Sequence, residues 1–479
     1  MAHFLRKLAL LALAVAAACS DNAPSAPPPL DRFYYPTGLA VRTLASGNAQ
    51  LVVASSNFDL LYDSASGGTV IAVDVDETLR RGAGAAPGTP IPLADPRAVR
   101  LGSFSGELAI AEPATCSGFT GTPQALVASR SDGALYRFDL DDSGVRCDKG
   151  DACRTPLETT IDDPYGVTLA CVAATPPQLL AYVGYLRAQA SAGVLTRVDL
   201  AASPPGTTRV DISAGTASSA AFDAATQRLY VTTRFIGVGS SPLRWLDLAA
   251  PGNPATIIDL DPQIRGNEMR GIALSSSDPT APPRPRRGYL PLRLYDFDFA
   301  ASIGRPPNDV GAALAVLDLS DSPGLPATVK LLRLVPLPRG ASEVRVIARP
   351  GTGKRDLVAV TSTDDGSLTL YDDETESIAR VFGRCGTPGV GDAAPCRPGV
   401  DDGKPALGQQ PFGLAVEQSL DVRLGKPPRL ARLYVGSFER SWVNVIEIDP
   451  ANPSATTVPG AAPGSTYQLR WDRIGLERP

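Results

Sequence analysis

One pattern of short strands recurs along the whole chain and constrains its fold more than any single motif. Each copy holds a turn, a short strand with Gly or Ala, a second strand of the Leu-Tyr-Val type, and a third strand that ends in an aspartate. The best-defined copies begin at Pro36 and at Pro411. Repeats of roughly 40–60 residues with several strands each are typical of a β-propeller. The pattern therefore predicts an all-β chain folded as a single β-propeller.

Seven copies of the innermost strand predict seven blades of four antiparallel strands across residues 33–479. The predicted innermost strands are Pro36–Val41, Gly106–Ala111, Tyr165–Val172, Ser218–Phe222, Met269–Leu274, Val344–Ala348 and Phe412–Val416. Alternating apolar residues and β-branched residues favour strands, and no segment keeps a helical period for long. The sequence leaves open how the ring closes: Thr466–Ile474 could supply the last outer strand, with Phe33–Tyr35 beside it.

The first 18 residues have the pattern of an export signal. Arg6 and Lys7 precede an apolar run that ends at Ala18 and is too short to span a bilayer. Cys19 follows three alanines, and this arrangement resembles the lipobox of bacterial lipoproteins, although Ala16 replaces the usual leucine. The resemblance implies acylation of Cys19, a tether over residues 19–32 and, from Ser20, an outer-membrane location. The lipid would be the chain's only membrane contact, and plain secretory cleavage is the alternative.

The cysteine count fits an oxidising compartment. Seven cysteines are an odd number, but lipid on Cys19 leaves six. The sequence then predicts three disulfides, namely Cys147–Cys153, Cys385–Cys396 and Cys116–Cys171. Zinc binding is the alternative, but the chain has neither paired C-x-x-C motifs nor histidines to complete such a site.

The exported chain lacks histidine, because His3 is the only one and lies in the signal. This excludes Ser-His-Asp and Cys-His catalysis and histidine metal sites. The net charge is −5, and no basic cluster is present. An acidic chain of this kind argues against nucleic-acid binding, which needs many contacts that neutralise phosphates.

Charged and polar residues recur near the starts of the innermost strands. Alignment of these strands predicts a ring at the mouth of the central channel, formed by Tyr35, Asp163, Glu268, Arg270, Glu343, Arg345 and Gln410. The carboxylates of Asp163, Glu268 and Glu343 could hold a divalent cation such as calcium. The arginines could instead grip a carboxylate ligand. The alternative is that these charges pair with each other and line a wet channel.

Aromatic residues recur where the second strands end. The candidates for an aromatic binding face are Phe58, Tyr185, Phe235 and Phe438. Aromatic rings at a propeller mouth can stack on sugars or anchor a partner protein. The alternative is that each ring packs beneath its own loop.

The repeat pattern resembles the seven-bladed propellers of the YVTN-repeat and lactonase-like type, over residues 33–475. Without histidine, lactonase activity that relies on this residue does not transfer. We therefore expect a non-enzymatic binding or scaffold module of the cell envelope, without a cofactor, that engages a protein or glycan partner. The alternative is a calcium-dependent hydrolase of lactones or esters, with carboxylate ligands at the channel mouth.

Overall fold

A computed structural model describes most of the chain. The described residues are 26–63, 66–85, 89–148, 153–157, 163–186, 193–202, 204–212, 216–232, 243–250, 256–258, 268–276, 284–295, 309–320, 329–349, 353–383, 407–408, 410–418, 430–459 and 465–476. Seven antiparallel sheets are arranged in a ring, so the predicted seven-bladed β-propeller is confirmed.

The strands of each blade run from the channel outwards, and we call these positions A to D. The first three blades contain β1 (Pro36–Thr43), β2 (Ala49–Ser55), β3 (Gly68–Asp74) and β5 (Arg97–Leu101); β6 (Ser105–Ala111), β7 (Gln124–Ser129), β8 (Ala134–Asp141), β9 (Gly144–Arg146) and β10 (Arg154–Pro156); and β11 (Pro164–Val172), β12 (Gln178–Tyr185), β13 (Val194–Asp199) and β14 (Gly206–Asp211). Between β3 and β5 the chain forms helix α1 (Val75–Arg81) and strand β4 (Pro90–Ile91), which belongs to the sheet of blade 7.

The other four blades follow the same order. They contain β15 (Ser219–Asp223), β16 (Arg228–Thr232), β17 (Leu243–Asp247) and β18 (Thr256–Ile257); β19 (Glu268–Met269), β20 (Ala273–Leu274), β21 (Arg287–Tyr295), β22 (Asp309–Asp318) and β23 (Lys330–Leu337); β24 (Ala341–Ile347), β25 (Leu357–Ser362), β26 (Ser367–Asp372) and β27 (Ser377–Gly383); and β28 (Pro411–Glu417), β29 (Ala431–Ser437), β30 (Trp442–Ile448) and β33 (Trp471–Gly475). Between β30 and β33, β31 (Thr457–Pro459) and β32 (Thr466–Gln468) form a separate two-stranded sheet.

The core is divided into apolar layers between neighbouring blades. Successive residues of a strand point to opposite faces of its sheet. In β2, Leu51 and Val53 therefore pack against blade 7, whereas Val52 and Ala54 pack against blade 2. This explains why the second strands read as continuous apolar runs: both of their faces are buried.

The innermost strands approach each other closely around the channel. A Cβ atom on Gly106 would lie 2.2 Å from the carbonyl oxygen of Tyr165, and one on Gly166 would lie 2.4 Å from that of Ser218. Glycine is required at these positions because the next strand's backbone fills the space of a side chain.

The ring closes with strands from both ends of the propeller. The outermost antiparallel strand of blade 7 is β33, which pairs with β30. Strand β4, from the excursion that follows α1 in blade 1, then adds to β33 in parallel. The tail that the sequence left open therefore supplies the outer strand. Phe33 is buried in the apolar layer between blades 7 and 1.

Two predicted disulfides are confirmed. Cys116–Cys171 joins the A–B loop of blade 2 to the A strand of blade 3, and Cys147–Cys153 closes a short loop in blade 2. These pairings leave no thiolate for the zinc alternative at these four positions. Cys19, Cys385 and Cys396 lie outside the described residues. Among the helices that the structure describes, none is long and apolar enough to cross a membrane.

Candidate functional site

The B–C and D–A connections lie on one face of the propeller, which we call the mouth face. The residue just before the A strand has a positive φ in five blades, at Tyr35, Phe104, Asp163, Gly340 and Gln410. An irregularity in the A–B pairing follows in each of these blades. A positive φ is uncommon outside glycine. The repeated turn therefore places these five residues at equivalent positions around the channel.

Residues in blades 6 and 2 differ from the predicted ring. Gly340 occupies the position equivalent to Tyr35, so Glu343 lies three residues further along β24. In blade 2 the equivalent residue is Phe104, which the sequence alignment did not include. In blades 1, 3 and 7 a proline follows the turn residue and marks the strand start, whereas Ser105 and Ala341 take that place in blades 2 and 6.

Aromatic side chains from three blades form a continuous cluster at the mouth. We call it the aromatic platform; its members are Tyr34, Tyr35, Phe58, Tyr62, Phe104, Phe412 and Phe438. The ring centroids of Tyr35 and Phe438 are 4.8 Å apart, and Phe58 lies 5.3 Å from Phe438 and 5.8 Å from Phe104. Most of these pairs are T-shaped or tilted, which is the favoured geometry for aromatic rings.

The B–C loop of blade 1 presents Phe58 through a network of hydrogen bonds. The side chain of Asn57 is buried, and its Nδ2 donates to the carbonyl oxygen of Tyr62 at 3.0 Å and to Ser103 Oγ at 2.9 Å. The backbone N–H of Tyr62 donates to Asn57 Oδ1 at 3.1 Å. Asparagine can bond to its own chain in this way and so fixes a tight loop.

The residues of the predicted aromatic face do not all lie on one exposed surface. Phe58 and Phe438 are in contact and belong to the platform. Tyr185 is buried within blade 3, where its hydroxyl lies 2.6 Å from Thr196 Oγ1. It is therefore not part of the exposed mouth surface. Phe235 lies outside the described residues.

Polar groups around the platform contact one another. Arg130 Nε lies 3.2 Å from Asp163 Oδ1, and its guanidinium stands over the ring of Phe104. Gln410 Nε2 donates to Glu439 Oε1 at 2.7 Å. The Tyr35 hydroxyl donates to Asp59 Oδ2 at 3.2 Å. Three members of the predicted ring are thus held in contacts between neighbouring loops.

Glu268 is buried at the start of β19. Its carboxylate accepts from Arg270 Nε at 2.9 Å and from the Tyr295 hydroxyl at 2.6 Å. Burial and the negative charge of Glu268 raise the pKa of the Tyr295 hydroxyl. The pair Glu268–Arg270 is therefore a local ion pair within one blade.

Two other glutamates, Glu107 and Glu343, lie on innermost strands of the ring. Glu107 of blade 2 and Glu343 of blade 6 come from opposite sides of the ring, and Arg345 Nη1 lies 3.1 Å from Glu343 Oε2. Burial, and then repulsion from Glu343, raise the pKa of Glu107 to about 8. The backbone N–H of Val167 donates to Glu107 Oε2 at 3.3 Å. Sequence reasoning missed Glu107, whose signal is a single glutamate inside a strand of small and apolar residues.

Two aromatic rings also meet across the channel. Tyr165 belongs to blade 3 and Phe412 to blade 7, yet their ring centroids are only 6.4 Å apart. Phe412 is 6.0 Å from Phe438, which connects this contact to the platform. The aromatic cluster therefore extends from the mouth into the channel.

The carboxylates were candidates for a calcium site. Within the described ranges, no three acidic, histidine or cysteine side chains come together as a metal would require. Asp163, Glu268 and Glu343 instead each contact an arginine. These three carboxylates are therefore engaged in ion pairs.

Many known structures are similar to this chain, with little sequence identity, and three of them are described here. Hydrazine synthase of Kuenenia stuttgartiensis is 11% identical, with a TM-score of 0.51 over 90% of this chain and 99% of that one. The β-propeller domain of Cps50 (Swd1) from Myceliophteria thermophila is 12% identical, with a TM-score of 0.43 over 88% and 95%. A protein from Lactobacillus plantarum is 14% identical, with a TM-score of 0.42 over 72% and 84%.

No protein-family model and no curated protein sequence matches the chain. At 11% identity the hydrazine synthase structure shows the fold alone, and nothing is argued from the other two. Propellers host many unrelated functions, so the function has to be argued from the mouth.

Proposed function

We propose that this chain is a non-catalytic binding module of the bacterial cell envelope. A lipid on Cys19 would anchor it at the outer membrane, and the aromatic platform would bind a partner protein. One observation carries the proposal: a ring that is half exposed, Phe58, stands on a connected cluster of buried rings at the channel mouth.

The burial of the platform supports a binding role over simple loop packing. Phe438 and Tyr35 are buried, so they already contribute to stability. Phe58 is 52% exposed although three other rings surround it. Exposed aromatic anchors on a rigid support are typical of binding hot spots, because few rotamers are lost when a partner covers them.

The chemistry of the platform favours a protein over a glycan. The exposed side chains beside Phe58 are Leu60 and Leu61, which have no flat face for a sugar. The polar groups nearby, Asp59 and Gln410, already contact the Tyr35 hydroxyl and Glu439. Apolar protein side chains are the partner that this surface complements best.

In-cell photo-crosslinking tests the proposal. A benzophenone amino acid is placed at Phe104, which is half-buried within the platform, and in a second strain at Leu332, which is exposed on β23 of blade 5. We expect a discrete protein adduct from Phe104 and none from Leu332. Adducts from both positions, or no protein adduct from Phe104, would overturn the proposal, and binding of the purified chain to isolated cell-wall glycan would favour a glycan partner instead.

A further inference from the structure

A groove lies along the outer strand of blade 6, and we call it the rim groove. One of its walls is β27 and the other is the turn that follows β30. It is lined by residues 377–381 of β27 together with Asp372, Thr375, Pro453 and Ser454. Its volume is about 360 Å³, and ligand clefts in proteins measure about 300–1,000 Å³. The rim groove is therefore large enough for a ligand.

The rim groove follows the edge of β27. Residues 377–381 are consecutive, whereas a groove on one face of a sheet would be lined by alternate residues of the strand. The strand order of blade 6 is β24-β25-β26-β27, and among the strands that the structure describes none pairs with β27 on its outer side. The outer edge of a sheet presents backbone N–H and carbonyl groups that the sheet itself does not use. Such groups lie along the rim groove.

A β-bulge directs one of these backbone groups into the groove. Arg380 pairs with Leu370 and Ile378 pairs with Tyr371, so the pairing with β26 skips Ala379. The carbonyl oxygen of Ala379 accepts a hydrogen bond from Ser454 Oγ at 3.0 Å, on the opposite wall. Bulges re-aim groups in this way beside binding sites and at protected sheet edges. The carbonyl of Ala379 is thus an acceptor for a group from outside the blade.

Blade 7 shows that an outer edge of this propeller accepts a further strand. The outer strand β33 pairs in parallel with β4, through Arg473 with Pro90 and Ile474 with Ile91. Strand β4 comes from a distant part of the chain, after the third strand of blade 1. The edge of β27 is the equivalent position in blade 6, because both strands are fourth from the channel. The rim groove occupies the place that β4 takes in blade 7.

The lining of the groove favours a peptide over other ligands. Its two charged side chains have partners: Arg349 Nη1 donates to Asp372 Oδ2 at 3.2 Å, and Arg380 Nη1 donates to the carbonyl oxygen of Ala455 at 3.3 Å. The Asp372 carboxylate disfavours an anion. None of the nine lining residues is aromatic, so a sugar would find no ring to stack on. Hydroxyls, small apolar side chains and strand backbone remain, and these complement an extended peptide.

We propose that the rim groove binds an extended peptide segment of another protein, which adds to β27 as a fifth strand of blade 6. Backbone hydrogen bonds along the edge provide the affinity. A peptide N–H replaces the Ser454 hydroxyl as the donor to the Ala379 carbonyl. The five lining residues of β27 extend over about 13 Å, so a strand of about five residues fills the groove. The site does not use the aromatic platform and is independent of the proposed function.

Peptide selection tests the site. A phage-displayed library of random seven-residue peptides is selected on the purified chain that carries Phe58→Ser, which weakens the mouth as a competing site. The binders are then measured in the same background on Ser377→Trp, which places a ring in the groove, and on the matched control Thr208→Trp. Both positions are exposed and lie on outer strands, β27 of blade 6 and β14 of blade 3. We expect Ser377→Trp to weaken binding about tenfold or more and Thr208→Trp to leave it unchanged.

Equal affinity for Ser377→Trp and for the chain without it would overturn the proposal, as would a selection that yields no binder. Binding of cell-wall glycan fragments that Ser377→Trp abolishes, without any peptide binder, would assign the groove to a glycan instead. None of these outcomes bears on the mouth, which is tested by the crosslink at Phe104.

Methylation of single backbone nitrogens tests whether the peptide adds as a strand. The best binder is synthesised with each N–H methylated in turn. Alternate N–H groups of a strand face its neighbour, so we expect a loss of about tenfold or more at every second position and little change between them. A loss that does not alternate along the peptide, or no loss at any position, would overturn strand addition.

Discussion

The seam between blades 7 and 1 and the channel mouth differ in which side chains they bury and which they expose. At the seam a charged side chain, Arg432, is buried with 1% of its surface exposed. Its guanidinium contacts Asp76 of α1 at 3.1 Å, Glu447 at 3.3 Å and Glu417 at 3.5 Å. At the mouth an apolar side chain, Phe58, is half exposed. The seam thus hides charge, whereas the mouth exposes apolar surface.

The difference separates structural from functional residues. A buried charge is tolerated only when its partners are complete, and the Arg432 network holds the two ends of the ring together. Burial opposes the charged form of Arg432, but the Tyr434 hydroxyl and the Glu417 and Asp76 carboxylates outweigh it and raise the pKa of the guanidinium. An exposed ring contributes little to stability, so its position has to be explained by what it binds.

The largest expected loss of folding stability comes from a substitution at the seam between blades 7 and 1. Arg432→Met should lower the free energy of unfolding by about 3–5 kcal/mol, because Glu417 and Glu447 would remain buried without their cation. Urea denaturation measures the loss. The matched control is Arg80→Ala, whose side chain is 72% exposed beside Glu77, and it should leave the free energy of unfolding nearly unchanged because an exposed ion pair contributes little. Similar losses in both variants would show that the buried Arg432 network contributes no more to stability than an exposed ion pair.

The disulfide between blades 2 and 3 is a covalent link between neighbouring blades, and its contribution to stability can be compared with that of the Arg432 network. Cys116 and Cys171 are 55 residues apart in sequence, against 6 for Cys147 and Cys153. The entropy of loop closure predicts losses of about 4 kcal/mol for the Cys116→Ser/Cys171→Ser variant and about 2 kcal/mol for the Cys147→Ser/Cys153→Ser variant. Denaturation of both variants under oxidising conditions checks the order. The reverse order would contradict the chain-entropy account.

The channel below the mouth should make stability depend on pH. The folded pKa of Glu107 is about 8, against an ordinary value of 4.5. A raised carboxyl pKa stabilises the fold below pH 4.5, and this contribution is lost as the pH rises through 8. The loss should amount to a few kcal/mol. Unfolding measured from pH 5 to pH 9 checks this prediction.

Glu107→Gln should flatten the pH dependence and make the variant more stable than the parent at pH 9. Glu112→Gln, in the loop after the same strand, is the control and should keep the parental profile. A parental slope in Glu107→Gln would rule out Glu107 as its source and contradict the prediction.

The smallest effect on stability is expected at the mouth. Phe58→Ser and Leu61→Ser should change the free energy of unfolding by about 1 kcal/mol or less, because both side chains are largely exposed already. Phe438→Ser is the contrast: that ring is buried, and its loss should cost about 3 kcal/mol. Thermal and urea unfolding compare the three. A large loss in Phe58→Ser would mean that this ring is structural.

The sequence predicted the blades and missed parts of the mouth for identifiable reasons. Strand alternation and turn residues repeat in every blade, so the innermost strands were found to within a few residues. The position of Glu343 was misjudged because the turn at Gly340 shifts the register of β24. Phe104 was missed because its turn lacks the proline that follows Tyr35, Asp163 and Gln410.

Interactions between residues on opposite sides of the ring could not be predicted from the sequence. Glu107 and Glu343 belong to blades 2 and 6, and Tyr165 and Phe412 to blades 3 and 7. The rings of Tyr165 and Phe412 meet, and the charge of Glu343 acts on Glu107, only because the ring closes. A local pattern of residues does not encode such a distance. The disulfides were accessible for the opposite reason, since the number and spacing of the cysteines restrict the pairings.

One measurement tests the central claim that the mouth binds a partner protein. The crosslinker at Phe104 is combined with Phe58→Ser, and both the adduct and the unfolding free energy are measured. We predict that the adduct is lost while stability stays within about 1 kcal/mol of the parent. An adduct of unchanged yield in the Phe58→Ser chain would contradict the account.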